Sequence, residues 1–450
     1  MDNNEDIIKM EVVLTDYKNY LKEAFQLDDL TIAALGVESE RMKKMSLIQR
    51  HPFLFHGLLS IISNLLYPFW GLNRKVHLSN EDFVFISSTD PVFRTKNIGL
   101  ITGNLSYSII HLPNFHIKQA KNYDKYFKNQ NIKAFFPTIS LFNVLKARKQ
   151  LKRFSKACTL DQKANEYKVM ECVLSIFLIY DNVVKDVLRN YTEFNGKWIL
   201  EHQIYFYAPV VFNLRSLGKK TTMLQHGLFF KPTMDFFPLN CDKVLCCSER
   251  EKKIYIREGV EEERVKVLGI PLQTLTSSAH QKREGREEKE YNLLLLLSIV
   301  SDANVSLIKE ILRYIQGKYD KVLLRFRPRS RDKDMIMLGD SIDSFAISDQ
   351  GHTIVEDLQR SKNVITFSAD AIVEIVKVNS PFLYIWLKEY QDFIKEIDCA
   401  TMDNYKEKVD QLMNSEIVTN KMQEMAVEMV GEQNIEIIKS RFVDYIKSRT

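Results

Sequence analysis

What this chain lacks narrows its chemistry first. Its six cysteines (Cys158, Cys172, Cys241, Cys246, Cys247 and Cys399) form no C-x-x-C pair, and no histidine stands at zinc-site spacing from them. That argues against a metal or redox role, and reduced thiols in a large chain point to the cytosol. The formal charge is only +5 over 450 residues, without the concentrated basic charge or recognisable module of a nucleic-acid binder. The N-terminus MDNNEDIIKMEVV is acidic and has neither the basic start nor the cleavable apolar core of a signal peptide. No internal repeat or low-complexity tract is present. Apolar and charged fractions of 45% and 27% exclude global disorder.

The length exceeds one ordinary core, so two domains are expected. Residues 1–75 read as helical. Within them, 51–73 (HPFLFHGLLSIISNLLYPFWGLN) carries no formal charge and is flanked by Lys43, Lys44, Arg50, Arg74 and Lys75. Its histidines, serines and prolines make a poor spanning helix, so a buried helix and one lying in a membrane interface stand ahead of a true span, the third reading.

From Asp82 the texture changes to short β-rich runs: FVFISS (83–88), IGLITG (98–103) and SIIHL (108–112). Residues 115–195 read as mainly helical, with KARKQLKRFSK (146–156) as a solvated basic face. WILEHQIYFYAPVVFNLRSLGKK is expected to form a helix ending near Gly218, followed by strands in TTMLQ, DKVLCCS and VKVLGIP. A polar, charged segment (276–291) around Gly285 marks the best domain boundary. Beyond it NLLLLLS, KVLLRFRP, SFAIS, NVITFS and PFLYIW alternate with helices, and the last 35 residues read as one or two helices. Apolar runs of four to seven residues separated by helices are the pattern of parallel strands covered on both faces. The expected architecture is α/β, two Rossmann-like domains facing a cleft with an N-terminal helical extension, divided as 1–275, 286–410 and 411–450.

In such sheets ligands sit at the carboxyl ends of the strands, and three constellations fall there. Gln225-His226-Gly227 follows TTMLQ. A histidine there, beside a glycine that lets a substrate approach the backbone, suits a general base; a histidine that merely caps the loop is the structural alternative. Arg325, Arg327, Arg329 and Arg331 recur at alternate positions where a strand runs out at Pro328; alternate residues of an extended chain share a face, suited to phosphate oxygens. Ser368 ends NVITFS as an N-cap, and Asp370 and Glu374 share the following helix face, where either carboxylate could hold a ribose diol.

This order resembles GT-B transferases of bacterial surface polysaccharides, most of all the CDP-glycerol glycerophosphotransferases of teichoic acid synthesis and the bacterial sialyl- and polysialyltransferases. His226, Gly227 and Lys231 stand where the teichoic enzymes carry His-Gly and a following lysine. Gly269-Ile270-Pro271 is similar to the Gly-x-Pro turn that ends the first domain. Arg327-Pro328 stands where these families carry His-Pro, and Ser368-Ala369 with Glu374 stands where they carry a Ser-Ser or Ser-Thr pair and a later Glu. PFLYIWLKEY is similar to the segment that follows in the glycerophosphotransferases. The resemblance covers 220–390. It implies His226 as catalytic base, with Gln225, Gly227 and Lys231 near substrate, and Arg325, Arg327, Arg329, Ser368 and Glu374 holding the donor, with no metal and no cofactor. The implied donor is a nucleotide sugar (a CMP-linked acid sugar or a UDP-sugar) or a CDP-polyol. The implied acceptor is a glycan or lipid-linked glycan, met in the cytoplasm or on the inner face of the cytoplasmic membrane. A UDP-sugar epimerase of the same fold and a non-catalytic subunit of a polysaccharide assembly complex are the alternatives.

Overall fold

A computed structural model of the chain describes residues 81–87, 98–112, 133–157, 165–203, 207–225, 238–269, 289–297, 300–302, 304–328, 330–349, 351–368, 371–387, 400–414, 427–428, 430–432 and 434–448, together with Lys22, Asp28, Leu30, Leu35, Phe53, Gly57, Leu58 and Leu78. Among the described residues twelve strands form two all-parallel sheets. The first runs β3-β2-β1-β4-β5-β6-β7, built from β1 (Phe83–Ser87), β2 (Tyr107–His111), β3 (Lys133–Phe135), β4 (Lys197–Leu200), β5 (Thr221–Leu224), β6 (Lys243–Cys246) and β7 (Val265–Val267). The second runs β10-β9-β8-β11-β12, from β8 (Tyr291–Leu296), β9 (Val322–Arg325), β10 (Ala346–Ile347), β11 (Ser361–Thr366) and β12 (Phe382–Tyr384). In each, the strand order reverses direction beside the first strand, at β1/β4 and at β8/β11. Those are the places where such sheets open a crevice.

The apolar runs explain the layering. Side chains alternate across a strand, so Val84 and Ile86 of β1 enter one core while Phe83 and Phe85 enter another. The first core is closed by α1 (Leu141–Ala157), α2 (Asn165–Leu188), α3 (Ala208–Ser216) and α4 (Glu249–Arg257). The opposite face is covered by a short helical turn at Ile98–Ile101 and by the C-terminal helix Ile435–Lys447, in which Ile438, Phe442 and Ile446 recur every four residues. In the second sheet Leu293 and Leu295 face α5 (Val305–Gln316), α6 (Arg331–Leu338) and α9 (Tyr405–Asn414). Leu294 and Leu296 face α7 (Ile354–Gln359) and α8 (Ala371–Lys377). The expected C-terminal part 411–450 is therefore divided: α9 completes the second unit, and α10 (Ile435–Lys447) returns to the first. A parallel sheet needs both faces covered, and the first unit takes that cover from the end of the chain.

Two glycines let the returning segment pass closely. A Cβ on Gly269 (φ +110) would lie 2.7 Å from the Ile438 side chain, and one on Gly431 (φ +71) 2.6 Å from the Cys247 carbonyl. Both positions demand a backbone conformation in which side chains are strained.

Three expectations are corrected. Ile98–Ile101 is helical rather than β. KWIL, read as the start of a helix, is β4, and the helix begins only at Ala208. Lys133–Phe135, read within a helical region, is the edge strand β3. Of the charge-free stretch 51–73, only Phe53, Gly57 and Leu58 are described; Phe53 packs on the first core and Leu58 is exposed. Among the described residues no helix is long and apolar enough to cross a membrane. The linker around Gly285 lies outside the described residues.

α9 is tied to α5 through Asp410, which accepts from Tyr314 (2.7 Å), Tyr319 (2.6 Å) and Lys318 (2.6 Å). The Lys318 ammonium and the Tyr319 hydroxyl hold its carboxyl down at about 2. A carboxyl depressed on folding adds stability above its unfolded value near 4, and loses it as pH falls toward the folded value. Asp410→Asn is accordingly expected to lower stability at neutral pH, with the gap to wild type closing between about pH 4 and pH 2. Urea melts across that range measure it. The effect is modest because the side chain is 38% exposed and screened by water.

Candidate functional site

A cavity of about 790 Å³ opens over the carboxyl ends of β8, β9 and β11, at the β8/β11 reversal. It is lined by Leu296 and Leu297 at the end of β8, Arg325 to Pro328 at and beyond the end of β9, Ser368, Ala371 and Glu374 after β11, and by Ser330 and Ile354. Volume and position are those of a small-ligand pocket in an open α/β sheet. It brings together four of the five donor-side residues named from sequence: Arg325, Arg327, Ser368 and Glu374. Arg329 lies outside the described residues.

The arginines do not form one row. β9 ends at Arg325, Arg327 sits in the loop beyond it, and Arg331 opens α6 without reaching the cavity. The chain leaves the extended conformation at Phe326, so the two-residue periodicity stops there. Arg325 is already engaged: it pairs with the fully buried Asp357 (2.5 Å) and donates to Ser348 Oγ (3.1 Å) and the His352 carbonyl (3.0 Å). Its charge is balanced inside the wall, which makes it a fixed strut. Arg327 reaches across and donates to Ser368 Oγ (2.8 Å). Ser368 is fixed in turn, since its N–H donates to Thr366 Oγ1 (3.0 Å), whose hydroxyl donates back to the Ser368 carbonyl (3.1 Å). A guanidinium and a hydroxyl therefore meet on one side of the cavity, with the Glu374 carboxylate in its lining.

Asp332 and Asp334, a superficial D-x-D, are not a metal pair. Asp334 is fully buried and accepts from Ser330 Oγ (2.6 Å) and the Val300 N–H (3.3 Å), which staples the start of α6 to the end of β8. Among the described residues no group of His, Cys, Asp or Glu could hold a metal ion. Cys241, Cys246 and Cys247 are buried, and burial pushes the Cys241 thiol up to about 12. They are packing residues with no thiolate to offer.

In the first sheet, His226, Gly227 and Lys231 lie outside the described residues. Gln225, expected near substrate, is 1% exposed; its Nε2 donates to Glu251 (2.8 Å) and its Oε1 accepts from Tyr255 (3.5 Å). Glu251, also fully buried, accepts from the Cys247 N–H (3.2 Å) as well. This cluster locks the end of β5 to α4 and β6.

One residue went unread in the sequence. Glu201 follows β4 at the β1/β4 reversal and is 2% exposed. It accepts from Ser87 Oγ (2.7 Å), at the end of β1, and from the Tyr207 hydroxyl (2.9 Å). Hidden inside the supposed helix WILEHQIYFY, it gave no sign of standing at a strand end. The β-rich Trp-Ile-Leu before it was the available signal.

No protein-family model and no curated protein matches the sequence. Solved structures do match in shape. A protein described as a UDP-N-acetylglucosamine 2-epimerase from Listeria monocytogenes superposes with a TM-score of 0.53 at 14% identity, over 82% of this chain and 96% of its own. An S. aureus MnaA–UDP co-structure gives 0.50 at 13% identity, over 81% and 95%. A lipopolysaccharide outer core galactosyltransferase, WaaB, gives 0.49 at 11%, over 82% and 99%. At these identities the likeness concerns fold. Two parallel sheets, each reversing its strand order beside its first strand, and a C-terminal helix returning to the first unit agree with it: the chain has the GT-B fold.

Proposed function

We propose that the protein is a transferase that moves a sugar, or a polyol phosphate, from a nucleotide-activated donor to an acceptor hydroxyl of a bacterial surface polysaccharide, working on the cytoplasmic side of the membrane. The observation that carries this reading is the second-unit cavity, where Arg327, Ser368 and Glu374 converge. The guanidinium fork suits the oxygens of a diphosphate, the serine hydroxyl can turn its proton to the same group, and the carboxylate can accept from a ribose diol. Leu296, Leu297 and Ile354 offer the apolar surface a base needs. In the reaction, His226 takes the proton of the acceptor hydroxyl as its oxygen attacks the anomeric carbon. The bond to the donor phosphate breaks with its electron pair on the phosphate oxygen, and Arg327 and Ser368 stabilise that charge. With a CDP-polyol the attack falls on phosphorus and CMP leaves.

Melting the protein with UDP, CDP, CMP and GDP tests the reading, because a ligand specific to the folded state raises the melting temperature. UDP comes first, since the S. aureus neighbour was solved with it. One nucleotide is expected to stabilise the wild type, and Arg327→Ala is expected to weaken its affinity about 10-fold or more, the worth of one charged hydrogen bond. Calorimetry reads the loss. A protein that no nucleotide stabilises would be a scaffold rather than an enzyme of this kind.

Epimerisation of a UDP-sugar is the second reading, and Glu201 is the observation that favours it, as a carboxylate at the β1/β4 reversal of the first sheet. Inverting a carbon centre requires its C–H bond to be broken and remade. UDP-N-acetylglucosamine incubated in D2O without acceptor would then gain deuterium, and a transferase would leave it unlabelled.

A further inference from the structure

Helix α1 carries the most unusual surface among the described residues. Ser140 starts it, its Oγ accepting from the Asn143 N–H (3.1 Å). Val144, Ala147, Leu151 and Phe154 anchor one side in the first core. The other side begins with three apolar residues left in water, Leu141 (53% exposed), Phe142 (70%) and Leu145 (55%). It continues with Lys146, Arg148, Lys149, Lys152, Arg153 and Lys156, all exposed, and the helix contains no acidic residue. A merely solvated face does not need an exposed Phe and two Leu within its first five residues, and a purely polyanion-binding face would not gain from them.

We propose that this face docks the protein on a bilayer containing anionic lipid, with Leu141, Phe142 and Leu145 entering the headgroup boundary and the cations lying over the phosphates. The charge is complementary to such a surface, and apolar anchors beside Lys and Arg are what interfacial binding requires. At about 1.5 Å per residue the helix offers roughly 25 Å of contact. Placement fits as well. α1 follows β3, so its apolar end lies at the rim formed by the strands' carboxyl ends, the side on which the first sheet opens its crevice. Docking there brings that crevice to the membrane, where a lipid-linked acceptor would be found. Only this last consequence rests on the transferase reading. α1 is a different segment of the chain from the charge-free stretch 51–73.

Flotation of the full chain with vesicles of phosphatidylcholine, with and without phosphatidylglycerol, tests the proposal. Wild type is expected to float only with the anionic vesicles, and less as salt rises. Lys149→Glu/Lys152→Glu/Arg153→Glu is expected to lower vesicle affinity by about 100-fold or more, and Phe142→Ser/Leu145→Ser by about 10-fold. These positions are exposed, so melting temperature and nucleotide affinity, measured on the same samples, are expected to stay at wild-type values. That separates a failure here from a failure of the donor-site reading. The proposal is overturned if wild type does not float, or if both variants float like wild type, which would pass the role to 51–73. It is overturned too if the serine variant floats unchanged while a soluble polyanion such as heparin binds wild type and not the charge reversal, which would make the face a polyanion site.

Discussion

His226→Ala is expected to leave nucleotide affinity unchanged and to lower turnover by about 100-fold or more, the usual worth of a positioned general base. Arg327→Ala is expected to do the converse in binding, because it stands in the second sheet's cavity and the histidine follows β5 of the first. The two substitutions thus separate donor binding from proton transfer. A histidine base loses activity as it is protonated, so the wild-type rate should fall as pH is lowered, and the variant should lack that acid limb. Steady-state rates at saturating donor, read beside calorimetry, decide the matter. If His226→Ala turns over normally, the role passes to Glu201, a carboxylate at a strand end of the same sheet.

The second unit was legible because its strands are buried on both faces. NLLLLLS, KVLLRFRP and NVITFS are short, continuous apolar runs bounded by turn residues, and each became a strand, shifted by one to three residues at its ends. Edges and short runs were not legible. β3 contributes three residues whose first, Lys133, is exposed, so it shows neither alternation nor an apolar run. IGLITG has a strand's composition, but its first four described residues make one helical turn that caps the opposite core; a run that short does not distinguish the two. α10 was readable as a helix, but nothing in its Ile438, Phe442, Ile446 stripe says which sheet it covers.

The lining of the second-unit cavity was legible in part for the same reason. Ser368 and Glu374 follow a strand whose end the sequence marks clearly. The arginine row was over-read, because periodicity of two holds only while the chain stays extended, and β9 stops at Arg325. Pairing of Arg325 with Asp357 joins residues 32 apart and leaves no local trace. Glu201 was lost with β4 itself, since a strand mistaken for the start of a helix hides the strand end where its carboxylate stands.

Glu251→Ala is expected to destabilise the fold by about 2–6 kcal/mol, because two buried neutral donors lose their acceptor. The carboxylate sits in the first turn of α4, whose N-cap Ser248 accepts from the Glu251 N–H (3.3 Å). Its removal would strip the Gln225 amide and the Cys247 N–H of their acceptor in a place water does not reach, at a cost of about 1–3 kcal/mol for each buried donor. A cavity beside Tyr255 adds to that. Glu251→Gln is the informative companion. It keeps the volume but offers one amide oxygen where two donors converge, so it should fold with a smaller loss. Gln225 immediately precedes His226, so loosening its amide frees the end of β5. Turnover of Glu251→Gln should then fall while nucleotide affinity in the second-unit cavity holds, the mark of a positioning residue rather than a packing one. Denaturant midpoints measure the first effect and the split between rate and affinity the second. A Glu251→Gln enzyme that melts early but turns over like wild type would confine the cluster to holding β5, β6 and α4 together.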